Sequence, residues 1–186
     1  KRNELRVRGT VVNNTGVPRE INLSGEVVTW KKNESALNVP AQKVAVSKNG
    51  TADFEFTVPW TDPHLWSPDD PFLYNLNLML TDKKDAKNIF DEPRTRFGFR
   101  EFEIKEGDFY LNGIRIKLRG DAWHYMGSLQ QNPDYARLWY KMAKSCNLNI
   151  VRLHAMVYPE FYYEVADEEG MLLIGESSIW ASVCNF

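Results

Sequence analysis

The sequence has few of the features that mark membrane, disulfide-rich or metal-binding proteins. Its 186 residues include only two cysteines and three histidines, and no Cys/His spacing is typical of a zinc site. No apolar run approaches the roughly 18 residues that crossing a bilayer requires, and no signal peptide is visible. We therefore interpret Cys146 and Cys184 as free thiols and expect neither a membrane span nor a bound metal.

The sequence also lacks a surplus of charge of either sign, with a formal net charge of −2. A nucleic-acid or anionic-membrane partner would favour a clear basic surplus, so we expect neither. Apolar and charged fractions of 43% and 26% are typical of a soluble globular protein. Nothing indicates a cofactor, and the compartment stays open, with the periplasm and the extracellular space as candidates.

The first half of the chain alternates between apolar and polar residues. The stretch "TADFEFTV" places Ala52, Phe54, Phe56 and Val58 on one face, and "YNLNLML" repeats this pattern. Such alternation is typical of strands with one buried face. Short strands separated by turn residues, without helical segments, predict a sandwich of about seven strands over residues 1–98. We expect Trp66 to belong to this sandwich.

Beyond residue 98 the pattern changes to hairpins and then to helices. Turns are predicted at Glu106-Gly107-Asp108 and at Asn112-Gly113, a dipeptide typical of two-residue hairpin loops. The order that follows is strand, helix, strand, helix, strand, with the first strand predicted at Ile114–Leu118. Two such βαβ units predict a parallel sheet in residues 99–186. Three strands and two helices cannot cover both faces of that sheet, which suggests a piece of a longer protein.

Capping residues and periodicity predict the two helices. Asn132 and Pro133 can begin the first helix, and Gly170 can end the second. Apolar residues at helical spacing should form the inner faces. These faces are predicted to contain Tyr135, Trp139, Met142, Ala143 and Cys146 in the first helix, and Phe161, Val165 and Ala166 in the second.

Ionisable and aromatic residues follow each predicted parallel strand. Ligands of α/β proteins meet the carboxyl ends of such strands, so these residues are expected to line one site. Structural readings stay open: Arg152 as an ion-pair partner of Asp121 or Glu176, each histidine as a structural group, and each tryptophan as a core edge. The candidates are Arg119, Asp121, Trp123 and His124 after the first strand, Arg152 and His154 after the second, and Glu176 and Trp180 after the third.

Four stretches resemble glycoside hydrolase family 2. "HLWSPDDPFLYNLNLML" resembles the end of that family's immunoglobulin-like sandwich, and "FGFREFEI" resembles its linker into a barrel. "FYLNGIRIKLRGDAWH" is similar to its first barrel strand, and "NIVRLHAMVYPEFYYEVADEEGMLLIGE" to its second strand, helix and third strand. The resemblance implies an immunoglobulin-like β-sandwich followed by the first three strands and two helices of a (β/α)8 barrel.

The resemblance also implies the chemistry of retaining β-galactosidases, β-glucuronidases or β-mannosidases. It matches His124 to a histidine that contacts substrate and Arg152 to an arginine that orients the nucleophile. His154 resembles the family's next histidine, at a spacing one residue shorter. Trp123 stands where the family frequently has an arginine, and Asp121 stands where it often has an apolar residue. The resemblance places the acid/base in an Asn-Glu pair after the fourth strand and the nucleophile after the seventh.

The leading hypothesis is therefore a fragment of an exo-acting retaining β-glycosidase acting on a β-glycoside or oligosaccharide. The only Asn-Glu pairs, Asn3-Glu4 and Asn33-Glu34, fall in the sandwich half, so we expect no catalytic residue in this chain and no activity of its own. Two alternatives stay open: a non-catalytic saccharide-binding sandwich module, and an inactive short homologue. The incomplete barrel also predicts self-association or a disordered C-terminal region.

Overall fold

The structure is a computed structural model that describes residues 4–125 and 127–178. It divides into two units. Among these residues, the first unit contains 4–64 together with Leu73–Gly98, and the second contains Leu65–Phe72, 99–125 and 127–178. Trp66 thus belongs to the second unit, contrary to our expectation. Its fully buried indole donates a hydrogen bond to the carbonyl oxygen of Asp167 at 2.7 Å, a contact between residues 101 positions apart that no local pattern predicts.

The first unit consists of antiparallel strands arranged in two sheets. One sheet pairs β1 with β4. The other has the order β3-β2-β5-β6. The strand β7 also pairs with β5, at the opposite end of β5 from β6. The strands are β1 Glu4–Asn13, β2 Arg19–Thr29, β3 Ser35–Val46, β4 Gly50–Pro59, β5 Tyr74–Asp82, β6 Ile89–Asp91 and β7 Arg94–Phe97.

Alternating burial along these strands confirms the period-two prediction. In β4, Phe56 is buried, the other predicted inward residues are half-buried, and the residues between them are exposed. In β5, Leu76 and Leu80 are buried. Side chains of both sheets line a common cavity of about 710 Å³, including Val11, Phe54 and Leu80. Apolar side chains of both sheets therefore face this cavity.

The second unit begins with a three-stranded antiparallel sheet of order β10-β9-β8. Both of its turns occupy the left-handed region: Glu106 and Gly107 have φ of 52° and 84°, and Asn112 and Gly113 have φ of 54° and 80°. Two consecutive positive φ values match the twist of hairpin strands, which confirms both predicted turns. The strands are β8 Phe102–Lys105, β9 Asp108–Leu111 and β10 Ile114–Ile116.

A parallel sheet of order β11-β12-β13 follows. The prediction that its first strand is Ile114–Leu118 is wrong. The residues after the Asn-Gly turn return antiparallel to β9, where Ile114 is 74% exposed. The parallel sheet instead begins at the less apolar stretch Gly-Asp-Ala-Trp, which pairs with the strand after the first helix. Its strands are β11 Gly120–Trp123, β12 Ile150–Leu153 and β13 Leu172–Gly175.

Two α-helices connect these strands, α1 Pro133–Ser145 and α2 Glu160–Glu169, and a 3-10 turn at Ser128–Gln130 precedes α1. The predicted caps are confirmed. The Asn132 side chain accepts the Asp134 N–H at 2.8 Å, and Gly170 ends α2 in the left-handed conformation with φ of 75°. No helix in the described part of the chain has the length and hydropathy needed to cross a bilayer.

The predicted inner face of α1 is largely wrong. Its buried residues are Ala136, Tyr140 and Ala143, whereas Met142 is 56% exposed and Cys146 is exposed. The buried face thus combines two alanines with Tyr140, whose hydroxyl donates to the carbonyl oxygen of Tyr162 at 3.2 Å, and hydrophobicity alone did not identify it. In α2, Val165 and Ala166 are buried as predicted, but Tyr162 rather than Phe161 completes the buried face. Cys184 lies outside the described residues.

Candidate functional site

The parallel sheet brings the ends of its three strands to one edge. Trp123, Leu153 and Gly175 are paired in register and end β11, β12 and β13. The next residue along the chain in each case is a predicted site residue: His124, His154 or Glu176. The sequence therefore identified the correct edge of the sheet, although it placed the first strand too early.

Glu176 joins the second and third strand ends through both of its carboxylate oxygens. Oε1 accepts a hydrogen bond from Nε of Arg152 at 2.5 Å. Oε2 accepts one from the backbone N–H of Ala155 at 2.7 Å and lies 3.4 Å from Nδ1 of His154. Of the two ion-pair partners considered for Arg152, the structure selects Glu176.

These contacts favour the ionised form of Glu176. The Arg152 guanidinium lowers the pKa of the carboxyl most, through its hydrogen bond, and the Ala155 N–H lowers it further. The carboxylate is only partly buried, with 27% of its side-chain surface exposed. A carboxylate that is charged and accepts hydrogen bonds through both oxygens is suited to hold other groups in place rather than to deliver a proton.

The two candidate histidines are brought together at the same edge. The ring centroids of His124 and His154 are 4.4 Å apart, at an interplanar angle of 56°. The His154 backbone N–H donates to the carbonyl oxygen of Trp123 at 3.0 Å, which links the end of β12 to the end of β11. His124 is exposed and His154 is half-buried. Two imidazoles and a guanidinium thus offer several hydrogen-bonding groups to a polar ligand.

Trp123 is a core residue, so the structure supports a structural role for it rather than stacking on a sugar. Its side chain is 5% exposed and stacks on Trp139 with ring centroids 4.0 Å apart. Tyr140 and Tyr162 contact its ring edge-on at 5.7 and 5.0 Å. A ring enclosed in this way has no free face on which a sugar could stack. Trp180, the other candidate for stacking, lies outside the described residues.

Arg119 and Asp121 do not join the cluster. Asp121 lies within β11, is exposed, and accepts a hydrogen bond from the adjacent Ala122 N–H at 2.7 Å. The Arg119 side chain donates to the carbonyl oxygen and the side chain of Asn147 at 2.9 and 3.1 Å. Both residues were expected after the first parallel strand, but that strand begins only at Gly120, so Arg119 lies directly before it and Asp121 lies inside it.

Two contributors to the site were not found from the sequence. Ala155 supplies a backbone N–H and is one of the non-glycine residues with positive φ, at 55°. Tyr158 donates its hydroxyl to the carbonyl oxygen of Trp123 at 2.7 Å, which anchors the loop after β12 to the end of β11. A backbone donor leaves no side-chain signal, whereas the buried Tyr158 hydroxyl required a partner that only the fold identifies.

Metal binding is not indicated within residues 4–125 and 127–178, where no group of three or more His, Cys, Asp or Glu side chains is arranged to hold an ion. At the strand ends, Glu176 instead accepts hydrogen bonds from Arg152 and from the Ala155 N–H, and its Oε2 lies 3.4 Å from Nδ1 of His154. The arrangement suits recognition of hydroxyl-rich or anionic ligands, because guanidinium and imidazole groups bind oxygen atoms directionally.

Comparison with known proteins assigns the chain to a family. Residues 1–100 match the family described as glycosyl hydrolases family 2, and the chain belongs to that family. A protein of Formosa agariphila assigned as a β-glucuronidase is 38% identical over 135 residues, which is 69% of this chain and 16% of that protein. A β-galactosidase of Priestia megaterium is 31% identical over 163 residues, which is 84% of this chain and 15% of that protein.

The fold is shared with solved structures of the same family. The β-glucuronidase 2 of Bacteroides uniformis superposes with a TM-score of 0.84 at 24% sequence identity. The match covers 95% of this chain and 21% of the Bacteroides uniformis chain. A structure of a family 2 member from Bacteroides cellulosilyticus gives a TM-score of 0.82 at 24% identity, with 94% of this chain covered and 24% of that one. The chain therefore spans only a minor part of the length of the proteins it matches.

Proposed function

We propose that this chain is part of a retaining exo-β-glycosidase that hydrolyses O-glycosidic bonds, and that it contributes the substrate-binding rim. The observation that carries the proposal is the convergence of His124, Arg152, His154 and Glu176 at the carboxyl ends of parallel strands. Membership in glycosyl hydrolases family 2 supports the reaction class. The named relatives include β-galactosidases and β-glucuronidases, and a β-galactosidase-like activity is the form we propose.

The proposed architecture is an immunoglobulin-like sandwich over residues 1–98 and the first part of a (β/α)8 barrel over residues 99–186. The antiparallel sheets of the first unit and the alternation of parallel strands with helices in the second support it. A complete barrel takes about 250 residues, more than the 186 of the chain. In this arrangement the site residues lie at the barrel face where glycosidase substrates bind.

The proposed division of labour follows from the chemistry of retention. A retaining glycosidase needs two carboxyl groups about 5 Å apart, one as acid/base and the other as nucleophile. Glu176 is held by Arg152 and by the Ala155 N–H, and its Oε2 also lies 3.4 Å from Nδ1 of His154. A single paired carboxylate cannot perform both roles, so we propose that the chain alone is inactive. Its imidazoles and guanidinium would bind sugar oxygens and orient the catalytic groups.

The test compares the 186-residue chain with the polypeptide encoded by extending its reading frame past Phe186. Nitrophenyl β-D-galactoside, glucuronide and mannoside serve as substrates. The extended protein should hydrolyse one of them, and Arg152→Ala should lower kcat/KM by about 100-fold or more, while Lys141→Ala on the exposed face of α1 should not. Turnover by the 186-residue chain that is abolished in Glu176→Gln would overturn the proposed division of labour.

A second candidate is a non-catalytic saccharide-binding module in the first unit, either as an accessory domain or in an inactive short homologue. The cavity of about 710 Å³ favours it, because its lining combines Phe54 and Phe90 with Arg8, Thr10 and Asp91. Calorimetric titration with galactose, glucuronate and mannose distinguishes the candidates. Binding lost in Thr10→Val but kept in His124→Ala would favour the module, and the reverse result would favour the strand-end site.

A further inference from the structure

We propose that Glu176 is a positioning residue, which holds the Arg152 guanidinium and the turn at His154 and Ala155 in one arrangement so that the outer nitrogens of Arg152 remain available to a ligand. The expected effect of Glu176 on catalysis rests on the proposed glycosidase function. Its structural part, the effect of Glu176 on Arg152 and Ala155, does not depend on which ligand the site binds.

The geometry of the carboxylate supports this role. One oxygen accepts from Nε of Arg152 at 2.5 Å and the other from the Ala155 N–H at 2.7 Å. Arg152 belongs to β12 and Ala155 to the loop that follows it, whereas Glu176 follows β13. Glu176 therefore spans the gap between two strand ends and determines how the loop leaves β12.

The loop adopts an uncommon backbone conformation next to Glu176. Ala155 has a φ of 55°, in the left-handed region that residues with a Cβ rarely occupy. Such conformations persist when surrounding contacts determine them, and they are frequent at functional sites. The hydrogen bond from the Ala155 N–H to Glu176 is a contact of this kind. The same turn places the His154 ring, with Nδ1 3.4 Å from the carboxylate, beside His124.

Arg152 remains able to bind a ligand while Glu176 holds it. The contact uses Nε, and the side chain is 44% exposed. A guanidinium carries five N–H donors, so the two outer nitrogens keep four of them for oxygen atoms of a carboxylate or a sugar. Holding a flexible arginine before the ligand arrives reduces the conformational entropy lost on binding. A charged Glu176 also offsets the positive charge of Arg152 and limits non-selective anion binding.

The structural part is tested by NMR of the 186-residue chain. The Nε–H resonance of Arg152, identified by its loss in Arg152→Lys, and the Ala155 amide should be shifted downfield and protected from exchange by the charged acceptor. In Glu176→Gln both signals should move upfield, and their exchange rates should rise at least tenfold. In Glu176→Asp, which keeps the charge, both the shifts and the exchange rates should lie between those of the wild type and of Glu176→Gln. Asp121→Asn, which alters an exposed carboxylate outside the cluster, should change neither. Unchanged Arg152 and Ala155 signals in folded Glu176→Gln would overturn the proposal.

The catalytic consequence is tested on the extended protein. Glu176→Gln should lower kcat/KM by about 10- to 100-fold, with Glu176→Asp closer to the wild type, as is found when groups that orient a functional side chain are removed. The shape of the pH–rate profile should be kept, because a positioning group adds no proton-transfer step. Loss of one limb of the profile would instead make Glu176 a catalytic acid or base and overturn the proposal.

The two parts separate the possible failures. An extended protein without glycosidase activity removes the proposed function, and the NMR comparison then still decides whether Glu176 positions Arg152. An active protein in which Glu176→Gln has wild-type kinetics keeps the proposed function and removes this inference. If Glu176→Gln does not fold, as judged by its thermal transition, Glu176→Asp gives the same comparison with the charge retained and the reach shortened by one methylene.

Discussion

Arg152 and Glu176 belong to neighbouring parallel strand ends, and Nε of the arginine lies 2.5 Å from Oε1 of the glutamate. Arg152 lies one residue before the end of β12, and Glu176 directly follows β13. The sequence alone left two partners for Arg152 open. The pair is partly exposed, so its effect on stability is small and screened by solvent. Its importance lies in geometry, because it ties together the two loops that leave β12 and β13.

The first prediction concerns pH. The pKa of Glu176 is lowered in the folded state from its usual value of 4.5, mainly by the hydrogen bond from Arg152. The resulting stabilisation is present above pH 4.5 and is lost as the pH falls through the lower, folded-state pKa. Urea unfolding should therefore show wild type more stable than Glu176→Gln at pH 7, with the difference decreasing toward pH 3. A difference that is equal at both pH values would contradict this assignment.

The second prediction concerns Lys144, which ties α1 to two other segments of the second unit. Its Nζ donates to the carbonyl oxygens of Pro68 and Glu169 at 2.5 and 2.7 Å. Lys144→Met should lower the free energy of unfolding by about 1–3 kcal/mol, because both carbonyl groups lose a charged donor. The matched control is Lys141→Met, because the Lys141 side chain is 59% exposed and its Nζ lies 3.9 Å from Oε1 of Glu169. Equal decreases in the free energy of unfolding of the two variants, measured by chemical denaturation, would argue against a stabilising role for these two hydrogen bonds.

The third prediction concerns Gly170 at the end of α2. Its φ is 75°, and a Cβ there would overlap the carbonyl oxygen of Pro68. Gly170→Ala should therefore cost about 1–3 kcal/mol from backbone strain, and more if the Pro68 segment must move. Gly175→Ala is the control, since nothing lies within 4 Å of an added Cβ and its φ is outside the left-handed region. Thermal melts should show a lower Tm for the first variant alone.

The fourth prediction concerns Trp123 as a core residue. Trp123→Ala should lower the free energy of unfolding by about 3–5 kcal/mol, because it leaves a cavity among Trp139, Tyr140 and Tyr162. Leu138→Ala on the exposed side of α1, where the leucine is 60% exposed, should change it by less than about 0.5 kcal/mol. A Trp123→Ala variant with near wild-type stability would mean that the ring is not part of the core.

The fifth prediction concerns self-association. In the described part of the chain, β11 and β13 each pair on one side only, and Ile174 on β13 is 47% exposed beside an apolar cavity of about 510 Å³. Unpaired strand edges of this kind promote association between chains. Light scattering of the 186-residue chain should show association that Ile174→Lys weakens and Ile104→Lys, on the antiparallel sheet, does not. A monomer at all concentrations would contradict the prediction.

Local patterns predicted the elements whose causes are local. Alternation located the strands of the first unit, because one buried face imposes a period of two on any such strand. Asn112-Gly113 predicted a hairpin turn, and Asn132 and Gly170 predicted helix ends, since each acts on the backbone next to it. Motifs in four stretches of the sequence also pointed to the family to which the chain belongs.

Long-range contacts decided the features that the sequence misplaced. Ile114–Ile116 has the same apolar alternation as a buried strand, but pairing with β9 rather than with β12 determined its sheet. The buried side of α1 contains Ala136, Tyr140 and Ala143, because packing against neighbouring elements selects residues by fit, which hydrophobicity alone does not predict.

By itself the sequence determined the strand-rich first half, the caps of both helices and the edge of the parallel sheet at which His124, His154 and Glu176 would gather. Only the tertiary structure decided that Trp123 is buried, that Trp66 packs in the second unit, and that Glu176 accepts hydrogen bonds from Arg152 and Ala155. Periodicity and capping are encoded within a few residues of chain, whereas partners separated by tens of residues are selected by packing and hydrogen-bond geometry once the sheet has formed.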